Sequence, residues 1–136
     1  MLRQQVSHLE EVWVSLDLET TGLSPDGDEI IEIGAIKFQG DRTIDKFQTL
    51  VNPHKTLSDF TIRYTGISQE KVNSAPPFSD VSTLLIQFVA DLPIVGHNIA
   101  FDLGFLRSKG LNLFSNPRCD TWDMAFVFLP KNREYS

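Results

Sequence analysis

An α/β fold, a mixed β-sheet with helices packed on it, follows from three features of the chain. Apolar and polar residues alternate through its early segments, the connections between those segments are too short for a crossover helix, and the apolar spacing later turns helical. A length of 136 residues with 41% hydrophobic content fits one domain. A chain of that size buries roughly two-thirds of the surface it exposes when unfolded.

Residues 1–11 are polar and read as a lead-in; residues 12–136 read as the domain. From Val12 to Leu18, apolar residues stand at Val12, Val14, Leu16 and Leu18, the pattern of a central strand. Turn formers crowd the stretch from Thr21 to Asp28. A second strand is expected at Ile30–Phe38 and, after Gly40 and Asp41, a third at Ile44–Val51, giving an antiparallel meander that Pro53 ends. Val81, Leu84, Leu85, Phe88 and Val89 then mark one face of a helix over Ser79–Ala90, with Ser79 as N-cap. Pro93–Gly96 reads as a short buried strand. Asn98 is placed to cap a helix from Ile99 to about Lys109, closed by Gly110. A last strand at Arg118–Thr121 and a helix over Trp122–Phe128, stopped by Pro130, complete the reading.

Composition excludes several classes. Apolar runs are only a few residues long, as at Leu84–Ile86, so no membrane span is expected, and acids occupy the start where a signal peptide needs an apolar stretch. A single cysteine, Cys119, rules out an internal disulfide framework and suits a reducing, cytoplasmic setting; it reads as a buried thiol. Twelve basic against 18 acidic residues leave a net charge of −6. A nucleic-acid partner would therefore need a local offset to its phosphates.

Chemistry concentrates in three acids. Asp17 and Glu19, two apart on a strand, point to one face with Cα atoms about 6–7 Å apart. Their repulsion is roughly 2–3 kcal/mol at an effective dielectric near 20, which a hard divalent cation with oxygen ligands would offset. Hydration at an exposed strand end is the plainer alternative. Asp102 shares a helix face with Leu106 beside Phe105, so it is expected to turn toward the sheet; service to the helix dipole is its plainer alternative. If the strand at Ile94–Gly96 neighbours the first, all three carboxylates meet at one sheet edge, the arrangement two-metal phosphoryl transfer needs. His97 reads as structural or cleft-lining, and His8 and His54 as surface.

At these residues the sequence resembles a known family. SLDLETTGLSPDGDEIIEIGAIKF is similar to the first motif and second strand of the DnaQ-like DEDD 3′→5′ exonucleases, which include the proofreading epsilon subunit of bacterial DNA polymerase III. IVGHNIAFDLGFL resembles their second motif, and RYTGISQEKVNSAPPFSDV the segment between the two. The resemblance implies a ribonuclease H-like fold, with Asp17, Glu19 and Asp102 as catalytic, metal-ligating acids for two Mg²⁺ or Mn²⁺ ions. Thr20, Thr21, Leu23, Thr65, Asn98 and Phe101 would lie against or near the 3′-terminal nucleotide. The implied reaction is hydrolysis of the 3′-terminal phosphodiester of DNA, releasing nucleoside 5′-monophosphates.

The family's third motif, a His or Tyr ahead of a final Asp, has no counterpart: no His follows His97 and no Asp follows Asp123. The chain is therefore expected to be C-terminally incomplete and weakly active or inactive, since loss of a general base costs about 10²–10⁴ in rate. A surface exposed by truncation would promote self-association. Expected partners are a single-stranded 3′ end, a polymerase or a fused helicase region, and no membrane. Two other readings stay open: a non-catalytic module binding nucleic acid or protein, and an RNA-trimming exoribonuclease. A glycosidase fits less well, because carboxylates on one strand do not flank a sugar bond.

Overall fold

Strand β1 (Val12–Thr20) is the central strand of a five-stranded mixed sheet. The computed structural model describes residues 11–121, so residues 1–10 and the helix expected over Trp122–Phe128 lie outside the described residues. β1 pairs antiparallel with β2 (Ile30–Gln39), and β2 antiparallel with β3 (Arg42–Leu50), the meander that the short connections demand. Gly40, at φ 61°, supplies the left-handed turn between β2 and β3. On its other side β1 runs parallel to β4 (Ile94–Gly96), which pairs with β5 (Arg118–Asp120), giving the order β3–β2–β1–β4–β5.

Among the described residues, four helices accompany the sheet. These are α1 (Asp59–Thr65), α2 (Gln69–Asn73), α3 (Phe78–Val89) and α4 (Ile99–Ser108). Val14, Leu16 and Leu18 from β1 join Ile33 and Ala35 from β2, Val81, Leu85 and Val89 from α3, and Leu103, Phe105 and Leu106 from α4 in one core. A second cluster, Ile31, Leu57, Ile67 and Val72, seats α1 and α2. No helix among the described residues is long and apolar enough to cross a membrane.

Several local expectations are corrected. Helices α1 and α2 stand where none was expected, capped by the Ser58 and Ser68 hydroxyls, which accept from the Thr61 and Lys71 amides. Helix α3 begins one residue earlier than expected, with Pro77 in the cap position; Ser79 lies inside the helix. Leu84 is exposed rather than buried, because the face against the sheet is Val81, Leu85 and Val89. Asn98 stands before α4 in left-handed conformation and makes no side-chain cap bond. Cys119 is half-buried rather than buried.

Candidate metal and nucleic-acid site

Strand β1 carries leucines and acids on opposite faces. Leu16 and Leu18 enter the core, while Asp17 is exposed and Glu19 half-buried. Glu19 stands opposite Glu32 of β2, whose carboxylate accepts from Gln48 Nε2 at 3.2 Å, and the register shifts between Glu19 and Thr20. Parallel pairing with β4 reaches only Val14 and Ser15. The Val14 amide donates to Pro93 on this side, and the two-residue period puts the Leu18 amide on the same side, past the paired residues.

Asp102 fills that gap. Buried in the first turn of α4 and only 5% exposed, it accepts from the Leu18 backbone N–H. Burial pushes its carboxyl up to about 7, and the charges of Asp17 and Glu19 push the same way against the amide bond. Glu19 is raised too, first by burial and then by Asp17 and Glu32. The three acids are thus electrostatic neighbours at the end of β1. They are not a closed shell: among the described residues, no three His, Cys, Asp or Glu side chains are grouped tightly enough to hold an ion. The donor set nonetheless fits Mg²⁺ or Mn²⁺, since it offers hard carboxylate oxygens, and ionisation of Glu19 and Asp102 is opposed until positive charge arrives.

Beside the acids, the loop after β1 is tied by its own side chains. Asp28 accepts from the Thr21 hydroxyl at 3.2 Å and the Ser24 amide at 3.0 Å, and Thr21 Oγ1 accepts from the Glu29 amide at 2.9 Å. The Asp28 carboxylate lies so close to Gly22 that a Cβ there would stand 2.6 Å from its Cγ, which explains the glycine. Thr61 Oγ1 of α1 donates to the Thr21 carbonyl at 3.2 Å, docking that helix on the loop.

Loop and helix enclose a cavity of about 290 Å³ that includes Glu19, Thr20, Thr21, Leu23 and Thr65 in its lining. Leu23 is 83% exposed. Phe60 and Tyr64, one turn apart on α1, also line it, with their rings stacked at 5.7 Å and 15°. A second hollow of about 620 Å³ takes in Asp17, Lys46, Gln48 and His97. His97 Nδ1 there lies 3.3 Å from Thr121 Oγ1.

Of the residues expected against a nucleotide, Thr20, Thr21, Leu23 and Thr65 come together in the smaller cavity. Asn98 and Phe101 do not line it: Asn98 is exposed before α4, and Phe101 packs half-buried with its ring 5.1 Å from that of Phe105. Sequence reasoning missed Phe60 and Tyr64. The Ser58-to-Thr61 cap and Gly66 after Thr65 mark α1 and would have placed both rings on one helix.

A mixed sheet in this order, with flanking helices and acids at the end of its central strand, is the ribonuclease H-like exonuclease architecture. The chain belongs to the exonuclease family, of DnaQ-like, RNase T type: the family model described as Exonuclease matches residues 14–136. It is 40% identical over 130 residues to the PolC-type DNA polymerase III of Oceanobacillus iheyensis, covering 93% of this chain and 9% of that protein. Identity to the PolC-type enzyme of Bacillus subtilis is 37% over 131 residues, covering 93% and 9%. With that of Thermotoga maritima it is 40% over 131 residues, covering 93% and 10%. The chain spans about a tenth of the length of these relatives. Among solved structures it is similar to exonuclease I without ligand, with a TM-score of 0.74 at 16% identity, covering 93% of this chain and 33% of that one. Escherichia coli exonuclease I in complex with a dA16 oligonucleotide gives a TM-score of 0.73 at 16% identity, covering 93% and 32%. At that identity the likeness shows the fold.

Proposed function

We propose that residues 12–136 form a metal-dependent 3′→5′ exonuclease domain that hydrolyses the 3′-terminal phosphodiester of DNA to nucleoside 5′-monophosphates. The observation that carries this reading is Asp102: a carboxyl buried at the end of β1, held by the Leu18 amide and under the charges of Asp17 and Glu19. Asp17, Glu19 and Asp102 would hold Mg²⁺ or Mn²⁺. When bound, such ions supply positive charge to a phosphodiester and lower the pKa of a water. Neutralising this corner would also let a polyanion approach a protein of net charge −6.

The chain's own residues supply position. Glu19 opens into the 290 Å³ cavity, so a terminal nucleotide seated there would bring its phosphate to the acids. Leu23, Phe60 and Tyr64 offer exposed apolar faces on which an unpaired base would stack, an interaction worth about 1–3 kcal/mol per base. The PolC-type relatives favour DNA as substrate and a proofreading or repair role beside a polymerase.

The test uses excess protein, Mn²⁺ and a 5′-labelled single-stranded DNA, with an RNA strand in parallel. The expected result is slow, stepwise shortening from the 3′ end, weak because the third-motif general base is lacking, and abolished by chelator and by Asp17→Ala. Shortening that survives Asp17→Ala would overturn the assignment. Metal-independent binding without cleavage would favour a binding module, and preference for the RNA strand an exoribonuclease.

A further inference from the structure

Helix α4 presents Asp102, yet its start lacks the cap the sequence offers. Asn98 stands in left-handed conformation at φ 54° and ψ 50° with no side-chain cap bond. The first amide of the helix, Ile99 N–H, donates instead to Asp120 Oδ2 at 3.2 Å, a carboxylate 21 residues further along. Asp120 is the last residue of β5 and stands beside Gly96 of β4. A side chain from the next strand thereby grips the turn that leaves β4. Gly96 itself has no room to give: a Cβ there would meet the Leu16 carbonyl at 2.8 Å.

Ile99 and Asp102 share that first turn. At one end the turn is bound to β5 through Asp120; at the other, Asp102 is bound to β1 through the Leu18 amide. We propose that Asp120 is a positioning residue: by capping Ile99 from β5 it sets the pitch of the first turn of α4 and so the reach of Asp102 toward Asp17 and Glu19. The assignment rests on the proposed metal site. Residues that orient a ligand without touching the metal commonly alter affinity about 10–100-fold.

The experiment uses the full chain with Mn²⁺ as probe. Calorimetric Mn²⁺ affinity and, without metal, amide exchange at Ile99 and Ala100 are measured for the parent, Asp120→Ala, Asp120→Asn and Asn116→Ala. Asn116 serves as control because its side chain ties Ala90 and Leu92 at 2.9 and 2.8 Å, away from the acids. Expected are faster exchange at Ile99 and Mn²⁺ affinity lowered about tenfold in Asp120→Ala, both restored to within about threefold by Asp120→Asn, which keeps the acceptor. Asn116→Ala is expected to bind Mn²⁺ like the parent. Parental affinity in folded Asp120→Ala, or an equal loss in Asn116→Ala, would overturn the proposal. If Asp120→Ala does not fold, a folded Asp120→Asn with a tenfold loss overturns it, and one with near-parental affinity supports it. A parent that binds no Mn²⁺ would overturn the functional reading as well, which separates the two failures.

Discussion

Replacing Asp102 by Asn should stabilise the metal-free protein while abolishing its metal response. The structure sets the magnitude. A carboxyl moved by burial and by Asp17 and Glu19 from its ordinary 3.8 to about 7 favours folding only while it holds its proton. Once ionised in both states it opposes folding by about 4 kcal/mol, an upper value because salt screens the two charges. Stability contributed by the raised carboxyl is complete below about pH 4, falls as pH rises, and is gone above about pH 7. Asn keeps an acceptor for the Leu18 amide and carries no charge. In chelator at pH 8, Asp102→Asn should therefore be more stable by about 2–4 kcal/mol, at pH 5 by about 1–2, and near pH 4 hardly at all. Urea unfolding across that range measures it. Excess Mg²⁺ at pH 8 should stabilise the parent and leave the variant unchanged. A flat parental profile in chelator, or a variant less stable at pH 8, would refute the reasoning.

Other expectations follow from single contacts. Phe60→Ala and Tyr64→Ala remove exposed rings, so unfolding should change by less than about 0.5 kcal/mol. Single-stranded oligonucleotide binding, read by fluorescence anisotropy, should weaken by about 1–3 kcal/mol. Gly22→Ala forces the Asp28 carboxylate out of its bonds to Thr21 and Ser24; thermal unfolding should show a loss of about 1–3 kcal/mol. Burial pushes Glu29 up, but Lys55 and Lys109, at 3.0 and 3.1 Å, outweigh it and leave the carboxyl below its ordinary 4.5. That contribution is present above pH 4.5 and lost as pH falls through the lowered value. Since Lys55 is 58% exposed, Glu29→Gln should cost no more than about 1 kcal/mol at pH 7, and the cost should shrink as pH falls through the lowered value, measured by denaturant titration.

Where sequence reading succeeded, the physics was local. Alternation in β1 fixed which residues point inward, and two short connections left only a meander for β2 and β3. The inward turn of Asp102 was legible from its shared face with Leu106. Short α1 and α2 bury one residue each, Thr61 and Val72, so their helical period has too few turns to show. Their serine caps were the readable signal. The failure of Asn98 as a cap has a different origin: its replacement, Asp120, comes from another strand, and no local pattern announces a partner 21 residues away. Phe60 and Tyr64 were lost together with α1.

Alternating Leu16 and Leu18 with Asp17 and Glu19 makes alignment of β1 and β2 an all-or-nothing matter. Sliding one strand by a single position would thrust both carboxylates among the helices and expel the leucines. A slip in this strand would therefore lose the core and the acid cluster together. The hydrocarbon that drives collapse also proofreads where the acids come to rest.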